Sequence, residues 1–282
     1  MREKRRSLLV VALLALVCAL ALAACGDDDD DDGAAQTNGA TQAQQFDTIE
    51  AGVLTVGSDI PYEPFEFGRE PDYEGFDIDM VNAIAERLGL EVKIVKTPFD
   101  TIFRNLAQGR FDMVASATTI TEERKRTVDF SDPYFNADQS VVVPADSDIQ
   151  SVADLEGEVI GAQLGTTGAE YAQNEIDAAD VRTYDVVDDA FQALQAGQIV
   201  AAIIDFPVAK RAEVETGDVK VVETIQTDEQ YGFAFAKEST ALRDAVNRAL
   251  AEIKQDGTYE EIFRKWFEAD PPAEILQSGS GG

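Results

Sequence analysis

From about Phe46 onward, short apolar runs alternate with amphipathic helical patterns, and this rhythm limits the fold more tightly than any other feature of the chain. "VLTVGS" (53–58) reads as a strand, "FDIDMVNAIAERLG" (76–89) as a helix stopped by Gly89, and "LEVKIV" (90–95) as the next strand. The pattern returns between residues 157 and 223, at "GEVIGAQ", "TTGAEYAQNEI", "VRTYDVV", "DDAFQALQAG", "IVAAIID" and "VKVVE". Strands alternating with short helices predict α/β architecture with largely parallel sheets.

A short internal repeat adds to this. Phe103, Leu106 and Gly109 recur as Phe191, Leu194 and Gly197, each 88 residues later, and in both copies a helix ends at glycine and runs into a buried strand. The repeat predicts two lobes built on one helix–strand unit. Ala117 and Asp205 then hold equivalent positions at the carboxyl ends of two strands, where open α/β sheets bind ligands. Near the C-terminus, Leu242, Val246, Leu250 and Ile253 form one apolar helix face that ends before Gly257. Thr258 and Glu261 are spaced as a capping box for a second helix, which carries Trp266 and Phe267 into the core.

The two ends differ in character. "MREKRRSLLVVALLALVCALALAACG" has a basic start, an apolar run and small residues before Cys25, the layout of an export signal. Residues 26–45, with six consecutive aspartates, read as a disordered, self-repelling tether, and residues 271–282 as a flexible tail. Asp28, Asp30 and Asp32 imitate half of a calcium loop, but Gly39 stands where its bidentate glutamate is needed, so no metal site is assigned. The 54 acidic against 23 basic residues, a net charge of −31, exclude a nucleic-acid partner, which needs a basic face. The chain has no histidine, which removes histidine-based triads, general bases and zinc sites. No cofactor is expected.

The segment "GFDIDMVNAIAERL" (75–88) resembles the signature of the bacterial extracellular solute-binding proteins, family 3, the amino-acid receptors of ABC importers. "SDIPYEPFEF", "TTITEERKRTVDFSDPY", "LGTTGAEYA" and "YGFAFAKES" follow in that family's order, so the resemblance spans the folded region. It implies a two-lobed, type II periplasmic-binding-protein-like fold with a ligand cleft between the lobes. Two hinge crossings are implied near residues 136–140 and 227–231, giving lobe I as 46–136 plus 230–270 and lobe II as 140–227. "LAAC" resembles a lipobox, which implies cleavage before Cys25 and a lipid on that cysteine. The protein would then be exported and lipid-anchored on the outer face of the cytoplasmic membrane or in the periplasm. It would act as a monomer that delivers a free L-amino acid to a separate ABC permease.

The same resemblance assigns site residues. Arg124 matches the arginine that grips the ligand α-carboxylate, its planar fork offering two charge-assisted hydrogen bonds. Thr119, the backbone at Ser116 and Ala117, and a helix start near Thr121 would complete the oxyanion's donors. Asp205 matches the aspartate for the α-ammonium, with a helix N-cap for "FPVAKRAEV" as its alternative role. Thr166 and Thr167 match second-lobe contacts, or a helix cap. Tyr62 and Phe99 match aromatics around the ligand side chain, or core. Asp59 matches an acid at the side-chain end, or a turn residue before Pro61. Gln163 and Ile204 hold positions that vary with ligand, where glutamine-binding relatives more usually carry lysine and histidine. The implied ligand is a polar amino acid, glutamine or a cationic one. The alternatives are a dehydratase of amino-acid precursors, using Asp59 or Glu66 as its acid or base, and a sensory ligand-binding protein.

Overall fold

A computed structural model describes residues 46–278. The expected signal segment, Cys25 and the acidic tether lie outside the described residues, as do residues 279–282. The chain forms β1 (Val53–Ser58), β2 (Phe67–Arg69), β3 (Asp72–Glu74), α1 (Phe76–Leu88), β4 (Glu91–Lys96), α2 (Phe99–Ala107), β5 (Met113–Val114) and β6 (Val128–Phe130). It continues through β7 (Phe135–Pro144), β8 (Val159–Gln163), α3 (Thr167–Glu175), β9 (Asp180–Tyr184), α4 (Val187–Gln195), β10 (Ala201–Asp205), α5 (Phe206–Thr216) and β11 (Val219–Tyr231). It closes with β12 (Ala234–Ala236), α6 (Thr240–Gln255), α7 (Thr258–Phe267) and α8 (Ala273–Gln277).

Two five-stranded sheets define two lobes, ordered β4-β1-β5-β12-β6 and β11-β7-β10-β8-β9. The chain leaves the first sheet after β6, enters the second at β7, and returns from β11 to β12. The sheets are mixed, where largely parallel ones were expected. β1 runs parallel to β4 and β5, and β8 parallel to β9 and β10. β7 lies antiparallel to β10 and β11, and β12 antiparallel to β5 and β6. The connectivity explains the difference: the chain goes out along β7 and back along β11, so these neighbours must run in opposite directions.

The 88-residue repeat holds bond for bond. At the end of α2, Gln108, Gly109 and Arg110 donate their amides to Arg104, Leu106 and Asn105. At the end of α4, Ala196, Gly197 and Gln198 donate to Gln192, Leu194 and Ala193. Gly109 and Gly197 sit at φ 69° and 64°, left-handed turns that glycine adopts without strain. Met113 then pairs with Val56, and Ala201, its counterpart, pairs with Ile160. Gly57 and Gly161 follow in the two inner strands. A Cβ on Gly57 would lie 2.5 Å from the Phe111 ring, and one on Gly161 2.6 Å from Ile199, the residue equivalent to Phe111. Two residues beyond these glycines stand Asp59 and Gln163.

At the C-terminus the apolar face of α6 is buried as expected. The expected capping box does not form. Gly257 occupies the N-cap of α7 at φ 90°, and the Asp256 carboxylate accepts from the Thr258 amide at 2.9 Å. Thr258 lies inside the first turn, one position too late to cap it. The flexible tail expected from residue 271 is also corrected. α8 buries Ile275, and the buried Lys254 ammonium donates to the Ser278 carbonyl and hydroxyl.

Gly57→Ala should destabilise the protein by about 1–3 kcal/mol through overpacking against Phe111. Phe111→Leu in the same chain should recover part of that loss, as read from urea unfolding of the single and double variants.

Candidate ligand-binding site

The stretch after β5 carries an arginine that turns inward. Arg124 is 8% exposed, while Lys125 and Arg126 face solvent. The helix expected near Thr121 is a single tight turn at Arg124–Arg126, too short to present a dipole. The turn begins where the Arg124 amide donates to the Thr121 hydroxyl at 3.1 Å. The guanidinium donates through one terminal nitrogen to the Thr119 carbonyl (2.8 Å) and through the other to the Gly165 carbonyl of the facing lobe (3.1 Å). It lies 5.2 Å from the Phe99 ring centre and 5.1 Å from that of Phe103. Burial pulls its pKa down, yet an arginine stays charged. Among the described residues, no carboxylate lies within ion-pair reach of it.

Asp205 ends β10 at the N-cap position of α5, but its side chain makes no capping bond. The carboxylate turns instead towards the cleft, accepting from Tyr62 Oη (2.8 Å), Tyr231 Oη and Gln139 Nε2 (2.5 Å). Burial, with the nearby Glu229 charge, pushes its pKa up to about 6. Among the described residues, no lysine or arginine pairs with it.

Between these two groups lies a narrow cleft, nearly shut here, with a cavity volume of about 10 Å³, the space of about one water. Asp59, Tyr62, Phe99, Ser116, Ala117, Thr119, Arg124, Gln163, Thr166, Thr167 and Asp205 line it. The structure thus brings together the residues expected at the site apart from Ile204, which was expected at a ligand-varying position and is not part of the lining. Their chemistry differs in detail. Thr166 caps α3, accepting from the Ala169 amide at 3.1 Å. Gln163 Nε2 donates across the cleft to Asp59 at 2.5 Å and to the Asp185 carbonyl at 3.1 Å. Burial pushes Asp59 up to about 6, against the lowering effect of Gln163 and Lys96. Outside the cavity Arg211 of α5 reaches Glu63 at 2.9 Å, a further contact between the lobes.

Three residues beside the cavity were not expected: Glu229, Gln139 and Tyr231. Glu229 accepts from the hydroxyls of Thr119 and Thr167, both at 2.7 Å, while Gln139 bridges it to Asp205. The available signal was the spacing of Glu229 and Tyr231, two apart and thus on one face of a strand. Asp77, the first acid of the 75–88 signature, has a scaffold role. It is fully buried and accepts from the Ala117 amide and Tyr134 Oη, both at 2.8 Å. This fixes Ala117 at φ 44°, a conformation costly for a residue with a Cβ. Glu66 lies behind the wall, where it accepts from Ser116 Oγ at 2.7 Å, and does not face the cavity.

The fold and its cavity define a two-lobed solute-binding protein. Residues 54–269 match the model of the bacterial extracellular solute-binding proteins, family 3, and the chain belongs to that family. It is 34% identical over 226 residues to the L-cystine-binding protein TcyJ of Escherichia coli (strain K12), covering 78% of this chain and 85% of that one. The arginine-, lysine-, histidine-binding protein ArtJ of Geobacillus stearothermophilus superposes with a TM-score of 0.75 at 33% identity, covering 79% of this chain and 99% of that one. An ancestral arginine-binding protein bound to glutamine gives a TM-score of 0.74 at 40% identity, covering 78% and 100%.

Asp205 and Asp59 bind protons more tightly folded than unfolded. Their contribution to stability is therefore present at low pH and is lost as pH rises from about 4 through about 6. Asp205→Asn should remove part of that decline. The variant should gain about 1–3 kcal/mol on the wild type between pH 4 and pH 7.5 in denaturant titrations without ligand. A constant difference at both pH values would refute the assignment.

Proposed function

We propose that the protein is an extracytoplasmic receptor that captures a free polar L-amino acid by closing its two lobes, and hands it to an ABC importer. One observation carries this reading. A buried guanidinium without a carboxylate and a buried carboxylate without a cation, among the described residues, face one cavity from opposite lobes. A buried charge needs a partner of opposite sign. An amino acid supplies both at once: its α-carboxylate meets the free edge of the Arg124 fork, and its α-ammonium meets Asp205. Tyr62 and Phe99 flank the side chain, and Asp59 with Gln163 meets its end.

The lobes would comprise 46–136 with 230 onward, and 140–227, α8 belonging to the first. Ligand on one lobe draws down the other, aided by contacts such as Tyr62–Asp205 and Glu63–Arg211. The export layout and lipobox-like "LAAC" support a lipid anchor at Cys25, with a separate permease as partner. The relatives are binding proteins. Of the two acids that a dehydratase could use, Glu66 is turned away from the cavity, while Asp59 lines it and accepts from Gln163. The binding reading is therefore supported by the relatives and by the charge arrangement.

Thermal unfolding of the soluble domain against the twenty L-amino acids tests the reading. Ligand at a thousandfold over its dissociation constant should stabilise the native state by about 4 kcal/mol. A flat panel would sink the proposal and direct attention to amino-acid precursors. Arg124→Lys, which loses the fork, should weaken the best ligand about 10- to 100-fold by calorimetric titration.

Affinity should also fall below pH 6, because binding an ammonium forces Asp205 to release its proton. A neutral side chain should show a slope of about one proton. A cationic one, which also ionises Asp59, should approach two.

A further inference from the structure

We infer that Glu229 is a positioning residue: by taking the hydroxyl protons of Thr119 and Thr167, it makes the ammonium side of the cavity a wall of acceptors. It thereby rejects carboxylates that lack an α-ammonium. The inference rests on the amino-acid reading above.

Glu229 sits on the returning hinge strand β11, where pairing with β7 shifts register between Ile225 and Glu229. One of its oxygens, Oε2, receives both hydroxyls at 2.7 Å, Thr119 from the first lobe and Thr167 from the second. A hydroxyl has one proton to give, so each of these threonines has only lone pairs left for a ligand. Gln139 locks the arrangement. Its amide nitrogen, which can only donate, lies 3.2 Å from Glu229 Oε1, 2.5 Å from Asp205 Oδ1 and 3.3 Å from Thr167 Oγ1. Asp205 is mostly occupied as well: Oδ2 takes two tyrosine hydroxyls and Oδ1 takes Gln139, which leaves one lone-pair direction. The free capacity of Thr119, Thr167 and Asp205 is therefore acceptor only.

An ammonium brings three donors to that wall. The hydroxyl of a 2-hydroxy acid brings one donor, and its lone pairs face those of the threonines, leaving buried acceptors unpaired. This also revises the role expected for Thr119: its hydroxyl does not donate to the ligand carboxylate, which is left to Arg124 and backbone amides.

The test compares the tightest-binding of the twenty L-amino acids with the 2-hydroxy acid that bears the same side chain, by calorimetric titration. Wild type should strongly prefer the amino acid. In Glu229→Gln the new amide can donate to the threonines and release their protons, so the preference should shrink at least about tenfold. Glu229→Asp, which still only accepts, should weaken both ligands and keep the ratio within about threefold. Thr119→Val, which removes one acceptor, should also compress the ratio and serves if Glu229→Gln does not fold. Equal weakening of both ligands in Glu229→Gln and Thr119→Val would overturn the inference and leave Glu229 a structural residue. Failure of the wild type to bind any amino acid would instead overturn the receptor reading itself.

Discussion

Two buried charges of opposite sign, each lacking an ionic partner among the described residues, face each other across the cleft, and the rest of the molecule is arranged around that condition. Desolvating a guanidinium or a carboxylate costs several kcal/mol unless an opposite charge and hydrogen bonds compensate. Here the hydrogen bonds are supplied and the opposite charges are not. Arg124 has two backbone carbonyls and two aromatic faces; Asp205 has two tyrosines and an amide. Burial has already moved both pKa values towards the neutral forms. A zwitterion held in the cleft as the lobes close would relieve both groups together. Either charge alone would leave the other exposed to the full desolvation cost.

Holding the pair at fixed separation falls to the scaffold. Ala117 and Asp205 are equivalent positions in the two lobes, and each is fixed by a different device. Ala117 is held at positive φ by a carboxylate behind it, Asp77, itself braced by Tyr134. Asp205 is held by side chains from β7, β11 and the loop after β1. In both lobes a glycine in the inner strand lets the following helix–strand unit approach closely, against Phe111 in one and Ile199 in the other. The signature motif therefore matters here because its acid shapes the cavity wall from behind, without lining it.

Much of this was legible in the sequence, and the failures are physical ones. Strand and helix periodicity located β1, α1, β4, β8, α3, β9, α4, β10, α6 and α7 but not β2, β3, β6, β7 or β12. The repeat located the strand end at Asp205, whereas Ala117 lies three residues past the end of β5. Motif order located the cavity residues. Pairing direction was not legible, since it follows from the path of the chain between lobes, which periodicity does not encode. The turn at Arg124 was misjudged because hydroxyl and acidic residues favour both a helix start and an isolated turn. Glu229 was missed because one acid on a strand reads as solvated until its tertiary partners are known. The tail failed similarly: Ile275 and Leu276 are a short apolar pair in a polar stretch, and only packing on the main hydrophobic cluster gives them a place.

Closure and ligand capture also share atoms. One terminal nitrogen of Arg124 is bonded to the Thr119 carbonyl of its own lobe, and the other to the Gly165 carbonyl of the facing lobe. The Glu229 carboxylate likewise takes one hydroxyl from each lobe. The cation that would hold the ligand carboxylate, and the anion that orients the ammonium wall, are thus each divided between the two halves of the cleft. Opening the lobes must break one bond to each, which returns both groups to water and dismantles the subsites. A ligand that fails to satisfy either group leaves those bonds unsupported against solvent. Selectivity for the α-amino acid core and stability of the closed state are in this arrangement the same interaction, measured from two directions.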